Sequence, residues 1–279
     1  MIKFIAESHK YESVVPDGID WISVTSFVSN FKQPFDADTI ALKSSKSKKS
    51  KWYGLTPEEI KEAWRAEAKR ATDLGTWYHN CREQDFCMFD RLERNGKDLA
   101  IQTPIYETGT GVKLSPSQKL EEGLYPEHMV YLKSAGLCGQ SDLVEVINGE
   151  VHITDYKTNK EIKVEGYTNW EGITQKMNGP LSHLDDCNLN HYAIQLSLYM
   201  YIILKHNPKL KPGTLKIHHI IFEEVGKDKW GNPITALDAN GDPIVKDVIY
   251  YDIPYLKSEV ISIIHWLEDN RSKLKSKQH

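Results

Sequence analysis

The chain has 279 residues, room for one large mixed domain or two smaller ones. Its 35 Lys and Arg against 39 Asp and Glu leave a formal charge of −4, which excludes a wholly basic nucleic-acid coat but not a locally basic groove. A hydrophobic fraction of 40%, with 10% aromatic, is ample for a core and excludes wholesale disorder.

The longest uncharged apolar-rich run, Tyr192 to Leu204, has 13 residues, too short to cross a bilayer, so no membrane partner is expected. The N-terminus, Met1 to Glu7, lacks a signal-peptide core and is too acidic for a transit peptide. Four cysteines (81, 87, 138 and 187) are too few for a disulfide framework in a chain this long. The expected setting is a reducing, cytoplasmic one.

Phe4 to Phe27 alternates loosely and contains Pro16-Asp17-Gly18, which predicts a hairpin followed by a short helix. Lys43 to Lys51 holds five lysines in nine residues. It is either a solvated loop or a phosphate-contacting segment, and in the second case Lys51, with Trp52 and Tyr53 stacking on bases, would hold a strand. Thr56-Pro57-Glu58-Glu59 is a helix start: Thr56 caps, Pro57 suits the first helical position and Glu59 completes a capping box. The helical pattern runs to about Phe89, with a kink or break expected at Gly75-Thr76.

Strand texture begins near Tyr125, helix returns over Asn190 to Lys205, and strands follow at Leu215 to Val225 and Ile244 to Tyr251. Turns fall at Gly231-Asn-Pro and Asn240-Gly-Asp-Pro. The last helix, about Leu256 to Lys275, carries Val260, Ile263, Ile264 and Leu267 as its apolar stripe. This order predicts one α/β domain over 1–279, a mixed central β-sheet flanked by helices. An N-terminal helical segment would occupy about 20–95, and a strand–helix extension about 210–279.

The most informative stretch is Leu137 to Thr158. Asn148-Gly149 between two β-rich runs predicts a two-residue type I′ turn, which pairs Ile147 with Glu150 and, counting outward, Asp142 with Asp155. Val144 and Val146 share the face of Asp142; Ile153, Val151 and Lys157 share that of Asp155. Two opposed carboxylates on an apolar face are costly to ionise without a cation. A hard divalent metal, Mg²⁺ or Mn²⁺, would relieve that cost, and Lys157 would orient or activate water or stabilise developing charge. An ion pair of Asp155 with Lys157, and Asp142 capping a turn, is the plainer alternative. One strand earlier, a hairpin closed at Ser134-Ala-Gly136 would set Glu127 on the other flank of Asp142.

Gly139-Gln-Ser-Asp142, followed thirteen residues later by Asp155-Tyr-Lys157-Thr, resembles the PD-(D/E)XK nuclease superfamily, and more narrowly its RecB-like exonuclease branch. Gly75-Thr-Trp-Tyr-His79 is similar to the upstream helix motif of that branch, Glu127 to its preceding glutamate, and Gln195-Leu-Ser-Leu-Tyr199 to its Gln-x-x-x-Tyr helix. Ser23-Val-Thr-Ser26 resembles a segment of mitochondrial genome maintenance exonucleases and their phage relatives. The matches span residues 23 to 199.

The resemblance implies a restriction-endonuclease-like core. It makes His79, Glu127, Asp142, Asp155 and the Tyr156 carbonyl the metal ligands, with Asp142, Asp155 and Lys157 catalytic. Ser23, Thr25, Gln195 and Tyr199 would lie against DNA. It implies a metal-dependent DNA exonuclease acting on single-stranded ends in replication, recombination or repair, in a bacterial or phage-infected cytoplasm. The alternatives are a non-catalytic nucleic-acid-binding module and an endonuclease cutting internal sites. The four-cysteine iron–sulfur cluster of some relatives is not expected, since no cysteine follows Cys187, and Cys81-x₅-Cys87 fits no common zinc finger. There is no P-loop, so unwinding would need a helicase or recombination partner.

Overall fold

The computed structural model describes residues 1–275. In chain order the strands and helices begin with β1 (Ile2–Ile5), β2 (Lys10–Ser13), β3 (Ile22–Ser23), α1 (Val24–Ser29), α2 (Ala37–Lys46) and α3 (Pro57–Cys87). Next come β4 (Arg91–Arg94), β5 (Lys97–Ala100), β6 (Ile105–Tyr106), β7 (Lys113–Leu114), β8 (Gly123–Leu132), β9 (Leu137–Ile147) and β10 (Glu150–Lys157). The chain ends with α4 (Asn188–His206), β11 (Lys211–Phe222), β12 (Glu224–Lys227), β13 (Pro233–Thr235), β14 (Val245–Ile253) and α5 (Lys257–Lys275). The fold is mixed α/β.

The central sheet runs β14-β11-β10-β9-β3, with β8 also on β9. Asn148 and Gly149 both have positive φ, 55° and 75°, as a type I′ turn requires, and the register it sets is the expected one from Ile147–Glu150 to Leu143–Thr154. There the ladder stops. β9 pairs with β8 along its length, and on its other edge it meets β10 at Leu143 to Ile147 and β3 at Leu137 and Cys138. Between those two partners the edge of β9 is open at Gly139 to Asp142, and the sheet splays.

β10 and β11 are parallel, which demands a crossover, and the segment containing α4 supplies it. Leu215 and Ile217 of β11 join the core under α1, α4 and α5, while Ile220 and Phe222 pack with Leu74, Trp77 and Tyr78 of α3. Period-2 alternation thus puts α3 on the opposite face of the sheet. Ile194, Leu196, Leu198 and Ile202 of α4 are fully buried, each worth about 1.5–3 kcal/mol of transfer free energy.

Several expectations are corrected. The C-terminal strands are no extension, because β11 and β14 complete the central sheet. The N-terminal hairpin turns at Ala6 to His9 rather than at Pro16-Asp17-Gly18, with His9 taking φ 55°. Helix α2, capped by Asp36, and the β4–β5 hairpin are additional elements. Helix α3 begins at the expected capping box but continues unbroken through Gly75. A Cβ on Gly75 would come within 3.1 Å of Thr158 Oγ1, which itself donates to the Ala71 carbonyl at 3.2 Å. That glycine admits the end of β10 against the helix.

Candidate metal centre

The open end of β9 gathers the charged residues that the hairpin register and the resemblance single out. Asp142 is the first residue beyond the ladder. Its Oδ2 accepts the Tyr156 amide at 2.6 Å, so the carboxylate occupies the place of the next ladder bond. Glu127 sits opposite on β8, in the register expected, but with φ 49°, so that Pro126–Leu143 and His128–Ser141 pair on either side of it while Glu127 does not. A left-handed glutamate costs roughly 1–3 kcal/mol, and such strain is characteristic of functional sites. Gln140, two residues before Asp142, donates to Glu127 Oε2.

From the other side, α3 delivers His79. Its Nδ1 lies 3.3 Å from Glu127 Oε1 and 3.5 Å from Asp142 Oδ1. Candidate ligand atoms of these three residues all fall within 4.8 Å of one another. The Tyr156 ring meets the His79 ring edge-on at 5.9 Å and fixes its orientation.

Asp155 stands just outside that trio. It is 1% exposed, and neither of its oxygens makes a hydrogen bond. The Lys157 ammonium is 2.5 Å from its Oδ2 without the alignment of a hydrogen bond, so the contact is an ion pair. Lys157 also lies over the Tyr192 ring of α4 at 4.8 Å. A buried carboxylate with no hydrogen bond, beside two more, is the donor set a hard divalent cation takes, and His79 adds a nitrogen. The residues present fit a metal.

The electrostatics follow. Burial drives Asp155 up to about 6 against the pull of Lys157. Asp142 is likewise raised by burial, opposed by His79. Burial alone would lower His79, but Asp142 and Glu127 outweigh it and carry the imidazole to about 9. Lys157 rises well above its ordinary value, because Asp155 and Asp142 outweigh its burial.

Gln195 and Tyr199 share a face of α4, with Gln195 Nε2 3.4 Å from the Tyr199 hydroxyl. Tyr199 is buried behind β9, where a Cβ on Gly139 would come within 2.8 Å of its ring. Gly139 and Tyr199, from two separate motifs, are therefore one packing unit beside Asp142. Ser23 caps α1 through the Ser26 amide at 3.1 Å, and Thr25 is exposed on that helix.

Trp52 is not a stacking platform. It is 9% exposed, packs with Ala41, Ile60 and Ala63, meets Trp64 edge-on, and has Lys51 over its ring at 4.1 Å. The exposed aromatic of that segment is Tyr53. Sequence reasoning missed Gln140 and Tyr192, although strand alternation from Asp142 and one helical turn back from Gln195 point to them.

No helix among the described residues is long and apolar enough to cross a membrane. No protein-family model, curated protein or solved structure matches the chain.

Proposed function

We propose that the protein is a metal-dependent nuclease of the PD-(D/E)XK kind, hydrolysing phosphodiester bonds of DNA, with single-stranded ends as substrate. What supports this reading above all is the buried Asp155 carboxylate, ion-paired with Lys157 but without a hydrogen bond, beside the His79–Glu127–Asp142 group. The mixed sheet flanked by helices is the architecture the resemblance calls for.

His79, Glu127, Asp142 and Asp155 would hold a divalent cation, Mg²⁺ or Mn²⁺. When bound, it would neutralise these carboxylates and polarise the scissile phosphate. Asp142 is held in place by the Tyr156 amide, and Glu127 by Gln140. Lys157, a cation anchored by Asp155, has ammonium donors left for a phosphate oxygen or the attacking water. In the hydrolysis, the water oxygen bonds to phosphorus and gives up a proton to solvent, the bond from phosphorus to the leaving sugar oxygen breaks, and that oxygen takes up a proton from solvent. The His79 ring and the buried wall formed by Tyr199 and Gly139 keep the group rigid.

The test is a gel assay on end-labelled linear single strands, linear duplexes and closed circles, with Mg²⁺, Mn²⁺ or EDTA. Metal-dependent shortening of linear single strands is expected. Cutting of circles would convert the reading to an endonuclease, and binding without cleavage of any substrate would leave a nucleic-acid-binding module.

A further inference from the structure

A cavity of about 570 Å³ is lined by Tyr125 to His128 of β8 and by residues of the preceding 101–121 segment. Glu127 and His128 belong to its wall, so the metal group and the cavity share a residue. Its size is within the range of about 300–1,000 Å³ in which small-molecule sites fall. That suits one nucleotide and not a duplex. Pro104, Ile105 and Tyr125 give it apolar and aromatic surface for a base, and Gln102 and Thr103 give it polar edges.

The wall also includes a cation. Lys113 is 7% exposed, with its Nζ 3.4 Å from Glu83 Oε2 and 5.4 Å from the centre of the Tyr106 ring. The Tyr106 hydroxyl donates to the other oxygen of Glu83 at 2.6 Å. Glu83 follows His79 by four residues on α3 and so lies on the same helix face. One helix face therefore supports both the metal group and a lysine of the cavity wall. Glu83 occupies one of the three ammonium donors of Lys113, which leaves two for an anion.

We infer that this cavity seats the terminal nucleotide of the strand, with its phosphate on Lys113 and its base against the apolar wall. The inference rests on the nuclease reading and deepens it. A strand end filling a one-nucleotide cavity beside the scissile bond is cut one residue at a time, so the first products are mononucleotides.

Two measurements decide it. The first is equilibrium dialysis of labelled dTMP against the full chain, with and without Mg²⁺, for the wild type, Lys113→Met and Thr103→Trp. Thr103 is exposed on the wall, so Thr103→Trp fills the cavity without touching the buried Lys113–Glu83 pair. Saturable dTMP binding is expected, weakened at least tenfold by either variant while Mn²⁺ binding persists. The second is chromatography of the earliest products from uniformly labelled single strands, with mononucleotides expected. Unaltered dTMP binding in Thr103→Trp, or oligonucleotides as first products, would overturn the cavity assignment and leave the nuclease reading standing. If the chain cut no DNA at all, the nuclease reading would fall, and dTMP binding would still decide whether the cavity is a nucleotide site.

Discussion

Two hairpins of this chain turn on the same Asn-Gly dipeptide. In β4–β5, Asn95 and Gly96 take φ 52° and 74°; in β9–β10, Asn148 and Gly149 take 55° and 75°. Both registers set carboxylates face to face or nearly so. In β4–β5, Glu93 opposes Asp98, both exposed, and Arg94 opposes Lys97, both half-buried. There the repulsion is dissipated: Arg91 holds Asp98 at 2.5 Å, Lys97 holds Glu122 at 2.8 Å, Arg94 reaches Glu145 at 3.4 Å, and water screens the rest. In the site hairpin the carboxylates are buried, and Asp155 has no hydrogen bond at all. Opposed carboxylates therefore do not mark a site by themselves. Burial without hydrogen bonds does.

The largest expected effect separates the two hairpins by activity. Asp155→Asn or Lys157→Ala lowers the rate of metal-dependent cleavage by at least about 10²-fold, the scale of removing one charge-stabilising group. Asp98→Asn leaves the rate within a factor of two. Equal rates across all three proteins would mean the buried pair has no part in the reaction.

A second effect is a competition between metal and proton. The carboxylates of Asp142 and Glu127 hold the metal-free His79 imidazole up at about 9 against its burial, so it carries a proton at pH 7, whereas a metal ligand must be neutral. Mn²⁺ affinity should therefore climb from pH 7 toward 9, by up to about tenfold per unit, and then flatten. Calorimetry in two buffers of different ionisation enthalpy at pH 7 should register about one proton released per ion. Release of none would remove His79 from the ligand set.

Packing distinguishes the hairpins more modestly. Gly139→Ala drives a Cβ into the Tyr199 ring and should cost about 1–3 kcal/mol by denaturant unfolding. Gly96→Ala meets open space and should cost about 1–2 kcal/mol from its left-handed backbone alone. Only the first should also reduce cleavage. The smallest effect is Asp98→Asn on stability, within about 0.5 kcal/mol as for most exposed ion pairs. A larger loss would show that the exposed hairpin also depends on its charges.

What the sequence made legible was whatever a register or a cap dictates. Asn148-Gly149 set every pair up to Leu143–Thr154, and the reading at Ser134-Ala-Gly136 placed Glu127 beside Asp142. Thr56 and Glu59 gave the start of α3. Composition was a poorer guide. The lysine-rich stretch suggested a base-stacking Trp52, yet burial against α3 is a tertiary outcome that five nearby lysines do not reveal. Gly75 read as a break because helix propensity is local, whereas its reason is Thr158, eighty-three residues away in the chain. The placement of β11 and β14 was hidden for a similar cause, since parallel pairing across a crossover leaves no turn to read. The left-handed backbone of Glu127 and the splay at Asp142 also had no sequence trace.

The buried carboxylates and His79 are proposed to form a divalent-metal site. The most direct test is a calorimetric Mn²⁺ titration of the wild type beside Asp142→Asn, an isosteric change that keeps an acceptor for the Tyr156 amide. Saturable binding to the wild type is expected, weakened at least tenfold in the variant. No binding to the wild type, or equal binding to both proteins, would contradict it.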